Sequence, residues 1–231
     1  MAADFTKGNS QVAAIVVAAG SGVRLRAGIP KALVRVGGKS LVLWAVQALA
    51  FGGVTEVVVV APTGQLTDFE EALSFAPVPC LVVAGGATRG QSVANGLQAL
   101  NASSTTADVV LVHDAARPLV PGEVVARVIA AVQDGATVVV PVVPISDTVR
   151  QLTTAGSAVI ERSSLRAVQT PQGFRRDVLT QTYTQTDIAA TDDATLAERL
   201  GHVVKLVEGS PSAMKVTNPH DLMMVSAMLE V

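Results

Sequence analysis

Aromatic residues make up only 3% of this 231-residue chain, and cysteine occurs once, at Cys80. So few rings leave no stacking platform for single-stranded nucleic acid. A lone cysteine forms no intrachain disulfide and no cysteine-based zinc site. Set between Pro79 and Leu81 at the start of an apolar run, Cys80 reads as a packing residue. Charged residues are also scarce, at 16%, and nearly balanced at a formal −2, which argues against a general nucleic-acid binder. No apolar run reaches about eighteen residues, so no membrane span is expected. The first ten residues lack the basic start and apolar centre of a signal peptide. The expectation is a cytoplasmic protein with a flexible tail over 1–10 and one domain over 11–231.

Two familiar phosphate-binding fingerprints are missing as well. A dinucleotide loop needs G-x-G-x-x-G, but Leu25 stands where the third glycine would be. A Walker A loop needs a glycine five residues before Gly38-Lys39-Ser40, and that position is Leu33. Gly37-Gly38-Lys39-Ser40 is better read as a turn whose serine caps the next helix.

What the chain does have is 49% hydrophobic residues, enough for a sizeable core. Valine-rich runs recur at Val12–Ala18, Val54–Ala61, Val78–Ala84, Val109–His113, Ala136–Val143 and His202–Val207. Without polar alternation, they read as strands covered on both faces. Helical patterns fall between them, at Ser40–Phe51, about Gln91–Leu100, and a stripe from Val124 to Val132 behind a first-turn Pro121. A last helix opens at Asn218-Pro219 and runs to Leu229. This alternation predicts an α/β fold: a doubly wound, mostly parallel, Rossmann-like sheet flanked by helices. The segment at about 146–167 breaks the pattern. It reads strand, turn, strand, a projecting β-hairpin arm for which a second copy of the chain is the simplest partner.

Two chemical clusters stand at predicted strand ends. The first strand opens into Ala18-Ala19-Gly20-Ser21-Gly22, with Arg24 and Lys31 close behind. Glycines let backbone N–H groups close on phosphate oxygens, and two cations beside them suit a triphosphate. The second cluster is His113-Asp114-Ala115-Ala116-Arg117-Pro118, after Val109-Val110-Leu111-Val112. Carboxyl ends of strands line the crevice in open α/β sheets, so Asp114 is placed to hold a divalent cation such as Mg²⁺. His113 reads as a packed strand-end side chain, and Arg117 as a partner of Asp114 or a loop-orienting group.

These strings, with Gly85-Gly86, Arg89, Ser92-Val93, Asp147-Thr148, Arg162, Gln169-Thr170-Pro171-Gln172 and Lys215-Val216-Thr217, span nearly the whole chain. Together they resemble the 2-C-methyl-D-erythritol 4-phosphate cytidylyltransferases of isoprenoid precursor synthesis. The resemblance implies transfer of CMP from CTP to methylerythritol phosphate, with Mg²⁺, in a homodimer held by the hairpin. Arg24, Lys31 and Lys215 would be the catalytic cations, and Asp114 would hold the metal. Ala18, Ala19, Gly20, Ser21, Gly22, Gly86, Ala87, Ser92, Asp114 and Ala115 would bind the nucleotide. Arg117, Thr148, Arg162 and Thr170 would meet the acceptor. Ala32, Ala87 and Ala213 depart from the family's usual residues but leave the cations and Asp114 intact. Thr191-Asp192 reads chiefly as a helix N-cap, and the stretch from Val23 to Ile29 as a flap closing over the triphosphate. Rival readings are a ribitol 5-phosphate cytidylyltransferase, a relative using another nucleotide, a non-catalytic nucleotide-binding regulator and an NAD-dependent oxidoreductase. Leu25 disfavours the last.

Overall fold

A computed structural model describes residues 11–20, 28–185 and 192–230. The expected N-terminal tail, Ser21, Gly22, Arg24, Thr191 and most of the expected flap lie outside those residues. In chain order the elements begin with β1 (Val12–Val17), β2 (Arg35–Val36), β3 (Lys39–Ser40), α1 (Leu41–Phe51), β4 (Glu56–Ala61), α2 (Leu66–Ala72) and β5 (Cys80–Ala84). They continue with α3 (Arg89–Ala102), β6 (Val109–Asp114), α4 (Gly122–Gln133), β7 (Val138–Pro144), β8 (Val149–Thr153) and β9 (Gly156–Ile160). The chain closes with β10 (Arg166–Val168), β11 (Gln172–Arg175), α5 (Arg176–Gln185), α6 (Asp193–Arg199), β12 (Val204–Glu208) and α7 (Pro219–Leu229).

β5, β4, β1 and β6 lie side by side, all parallel. β11 then runs antiparallel between β6 and β7, and β12 pairs parallel with the far edge of β7. The sheet is thus the expected mostly parallel one, with one antiparallel ribbon set into it. Valine-rich strands form here because both faces are covered. Along β1, Val12, Ala14 and Val16 face the core under α1 and α4, while Ala13 and Ile15 face the core under α3 and α5. β4 and β6 divide their residues the same way.

Local capping chemistry sets several boundaries. Ser40 accepts the Leu43 N–H and starts α1, as the turn reading required. Gly37 and Gly38 take positive φ in the β2–β3 turn. α3 begins at Arg89, two residues before the expected start at Gln91, because Thr88 accepts the Gln91 N–H. Asn218 and Asp221 form a reciprocal capping box at α7, with Pro219 in the first turn. Pro121 is the N-cap of α4 and not its first helical residue, a shift of one position from the sequence reading. Cys80 packs half-buried against the core, and burial pushes its thiol up to about 11.

β10 and β11 were not among the apolar runs. β11 reads Gln-Gly-Phe-Arg, and its place in the sheet depends on a residue without a side chain. A Cβ on Gly173 would sit 2.5 Å from Val128 Cγ1 and 3.1 Å from Val132 Cγ2 of α4. The hairpin does form, with β8 and β9 paired antiparallel as a separate ribbon that exposes Leu152 and Val159. Gly173→Ala is expected to lower the unfolding free energy by about 1–3 kcal/mol through overpacking. Urea denaturation checks this, and an unchanged midpoint would mean that α4 rides loosely over β11.

Candidate functional site

β1 has β4 on one side and β6 on the other, so chain connections leave it in opposite directions. Ligands of open α/β sheets bind at this switch point, beyond the carboxyl ends of the strands. A cleft of about 420 Å³ lies there. Its floor is the end of β1 and the turn Ala18, Ala19 and Gly20. One wall is the loop into α3, with Gly86, Ala87, Arg89 and Ser92; the opposite wall is Asp114, Ala115 and Ala116 at the end of β6. Lys31 and Lys215 reach the same space from distant parts of the chain.

Backbone crowding shapes the α3 wall. A Cβ on Gly85 would meet Ala19 Cβ at 2.5 Å, so only glycine lets this loop lie against the β1 turn. The Gly86 N–H donates to Ser92 Oγ at 3.1 Å, and that hydroxyl donates to Thr88 O at 2.9 Å. Ser92 therefore folds the loop onto the first turn of α3. Helix N-termini carry free N–H groups and partial positive charge, which favour an anion.

Asp114 is the electrostatic centre. Its carboxylate is buried, with Oδ2 at 2.5 Å from Lys215 Nζ and Oδ1 at 3.3 Å from Arg89 Nε. Burial alone would push this carboxyl up; the Arg89 and Lys215 cations outweigh it and hold it far below the usual range. Those cations thus favour the ionised carboxylate. Lys31 Nζ donates to Val216 O at 2.9 Å, so the first turn and the Lys215 loop are joined.

Arg89 went unassigned in the sequence reading, although its motif was noticed. Its signal is position: an arginine in the first turn of a helix, where the dipole disfavours a cation, needs a carboxylate partner. It has two, Asp114 and the fully buried Asp193 at the start of α6. Burial would lower the guanidinium pKa; Asp193 and Asp114 together raise it above its ordinary value.

Other expected site residues do not line the cleft. Thr170 is buried, and its Oγ accepts the Asp114 N–H at 3.1 Å. The same oxygen lies 3.1 Å from His113 Nδ1, while His113 Nε2 lies 3.2 Å from Arg117 O. One assignment satisfies every group: Nε2–H donates to Arg117 O, and the Thr170 hydroxyl donates to Nδ1. Thr170 thus latches the end of β6. Arg117 donates through Nη1 to Ala213 O at 2.7 Å and through Nη2 to Val168 O, which makes it a loop-orienting group as well. Its Nε is buried without a hydrogen-bond partner among the described residues. Thr148 and Arg162 belong to the hairpin segment, where Arg162 donates to Ser146 O. Asp192 caps α6, accepting the Thr195 N–H at 2.9 Å.

Among the described residues, no cluster of three or more histidine, cysteine or acidic side chains forms a metal site. A cation held by protein groups alone is therefore not supported. A single ionised carboxylate in a phosphate-sized cleft does suit Mg²⁺, which takes one or two carboxylates and draws the rest of its shell from phosphates and water.

A family model described as 2-C-methyl-D-erythritol 4-phosphate cytidylyltransferase matches residues 12–231. A relative of that name from Saccharopolyspora erythraea is 48% identical over 221 residues, covering 94% of this chain and 99% of its own. One from Rhodococcus opacus is 44% identical, with 98% of both chains covered. Among solved structures, the cytidylyltransferase of that name from Thermus thermophilus superposes with a TM-score of 0.76 at 36% identity, covering 96% of this chain and all of that one. A 4-diphosphocytidyl-2C-methyl-D-erythritol synthase from Anaerococcus prevotii gives a TM-score of 0.82 at 25% identity, with 96% and 100% covered.

The buried His113 generates a pH prediction. Burial lowers its pKa to about 4, against about 6.5 in an unfolded chain. The neutral ring's contribution is whole above pH 6.5 and is lost as pH falls toward 4, a swing of about 3 kcal/mol. Urea midpoints are expected to fall already between pH 6.5 and 5, before most carboxylates titrate. Midpoints constant over that window would contradict a neutral, fully bonded His113.

Proposed function

The chain belongs to the 2-C-methyl-D-erythritol 4-phosphate cytidylyltransferase family, and from that premise we propose how its residues divide the work of cytidylyl transfer. It transfers CMP from CTP to 2-C-methyl-D-erythritol 4-phosphate in the non-mevalonate isoprenoid pathway, releasing pyrophosphate. A phosphate oxygen of the acceptor attacks the α-phosphorus, the bond to the β-phosphate bridging oxygen breaks, and pyrophosphate leaves with the bonding pair. The attacking group is a phosphate monoester, already largely ionised near neutral pH, so no strong general base is required. Among the described residues none lines the cleft: Asp114 is too weakly basic, and both His113 nitrogens are bonded.

The chemical difficulty is to bring two polyanions together and hold them in line. The observation that carries this reading is the convergence of Lys31, Lys215, Arg89 and Asp114 on one cleft at the switch point. Lys31 and Lys215 face the charge that builds on the α-phosphate; Arg24 is assigned the same task from the sequence. Ala18 to Gly22, Gly86, Ala87, Ser92 and Ala115 meet the nucleotide, with Ala87 acting through its backbone alone. Asp114 would hold Mg²⁺ together with the substrate phosphates, and the ion would neutralise charge on the triphosphate when bound. Arg117, through the loops it orients, and Thr148 and Arg162 of the arm are assigned to the acceptor phosphate. The arm's exposed Leu152 and Val159 support a homodimer in which each arm reaches the partner subunit. A cytoplasmic setting is proposed from the sequence reading; no helix among the described residues is long and apolar enough to cross a membrane.

Pyrophosphate release with CTP, Mg²⁺ and methylerythritol phosphate tests the assignment. Lys31→Ala or Lys215→Ala is expected to cut turnover by roughly 10²–10³-fold, the scale of a lost charge-stabilising group. Equal or faster turnover of ribitol 5-phosphate would move the acceptor assignment. Sedimentation tests the arm: a dimer is expected, and Leu152→Glu should shift it toward monomer.

A further inference from the structure

Asp193 is wholly buried, yet it lies outside the cleft and the reaction gives it no task. Removing a carboxylate from water is expensive, so it must be held by cations and hydrogen bonds. Its Oδ1 accepts from Arg89 Nη1 at 3.0 Å and from the Tyr183 hydroxyl of α5 at 2.5 Å. Its Oδ2 lies 2.9 Å from Arg89 Nη2, too poorly aligned for a hydrogen bond, and is held by charge alone. Two of the three guanidinium nitrogens thus face Asp193. Only Nε is left for Asp114, at 3.3 Å.

That division has a consequence for the cleft. An arginine grips a carboxylate best through two parallel N–H groups. Were Arg89 free to turn, its fork would engage Asp114 and cover the oxygens that Lys215 and the substrates need. Resting on the cytidylyl-transfer reading above, we propose that Asp193, backed by Tyr183, is a positioning residue for Asp114 that acts by holding the Arg89 fork away from it. Tyr183 supports Asp193 from α5, and Gln172 of β11 fixes the start of α6 by accepting the Ala194 N–H at 3.0 Å. The geometry therefore links α3, α5, α6 and β11 to the orientation of one carboxylate.

The test uses the full-length protein, with kcat and KM for CTP measured at saturating methylerythritol phosphate, well below each variant's melting temperature. Asp193→Asn is expected to lower kcat by about 10–100-fold, as misplaced catalytic groups do, with KM for CTP changing less than about threefold. Tyr183→Phe, which removes one hydroxyl, should move kcat in the same direction by a smaller factor. Because Tyr183 acts through Asp193, the double variant should be no slower than Asp193→Asn alone. Additive losses, a raised KM at unchanged kcat, or full kcat in either folded variant would overturn the proposal. If Asp193→Asn does not fold, Tyr183→Phe decides by the same kcat-against-KM reading. Wild-type turnover separates the two readings: its absence refutes the activity, whereas an active wild type with unaffected variants refutes only the relay.

Discussion

A buried carboxylate at the end of a central strand must find positive partners, and the partners Asp114 finds organise this molecule's functional face. Lys215 arrives from near the C-terminus and Arg89 from the first turn of α3. The Arg89 contact needs α3 and the end of β6 brought together at the sheet's switch point, and the Lys215 contact needs the C-terminal loop folded back over it. The ion cluster thus presupposes the fold. It also fixes the cleft's cations in place before a substrate arrives, Lys31, Arg89 and Lys215 outnumbering Asp114, which suits a polyanion and limits how far they must rearrange when one binds.

Much of the architecture was readable in the sequence because parallel strands buried on both faces leave a plain mark. β1, β4 and β6 are runs of valine and its kin, and the turn and cap residues around them obey local chemistry that a single sequence displays. The antiparallel ribbon was not readable. β10 and β11 are short and carry Arg166, Gln172 and Arg175; β11 fills the gap between β6 and β7, and β10 pairs with β7 alone. Strands this short and polar carry neither an apolar run nor a clean alternation for the eye to find.

The site divides in the same way. Ala18 to Gly20, Lys31 and Asp114 stand at or just behind strand ends, where the switch-point rule predicts a crevice, whereas Gly86 and Ala115 came with the family resemblance. Lys215 was placed by resemblance, since nothing local to it points to a cleft. Thr170, Gln169 and Gln172 were conspicuous as a string, but their work is internal. Gln169 exchanges hydrogen bonds with the backbone of Ser210, and Gln172 pins α6. Such amides look functional in a sequence because polar groups buried among apolar strands are uncommon, and only coordinates separate a ligand contact from a backbone brace.

Cys80 lies at the start of β5, with its Sγ–H directed to Val78 O. With ionisation so strongly suppressed, its sulfur is a poor nucleophile toward maleimides and disulfide reagents near neutral pH. The native chain is therefore almost silent to thiol chemistry. A cysteine engineered at the tip of the β8–β9 arm would be the dominant attachment point for a fluorophore or spin label, so arm movement could be followed without first stripping the protein of its own thiol.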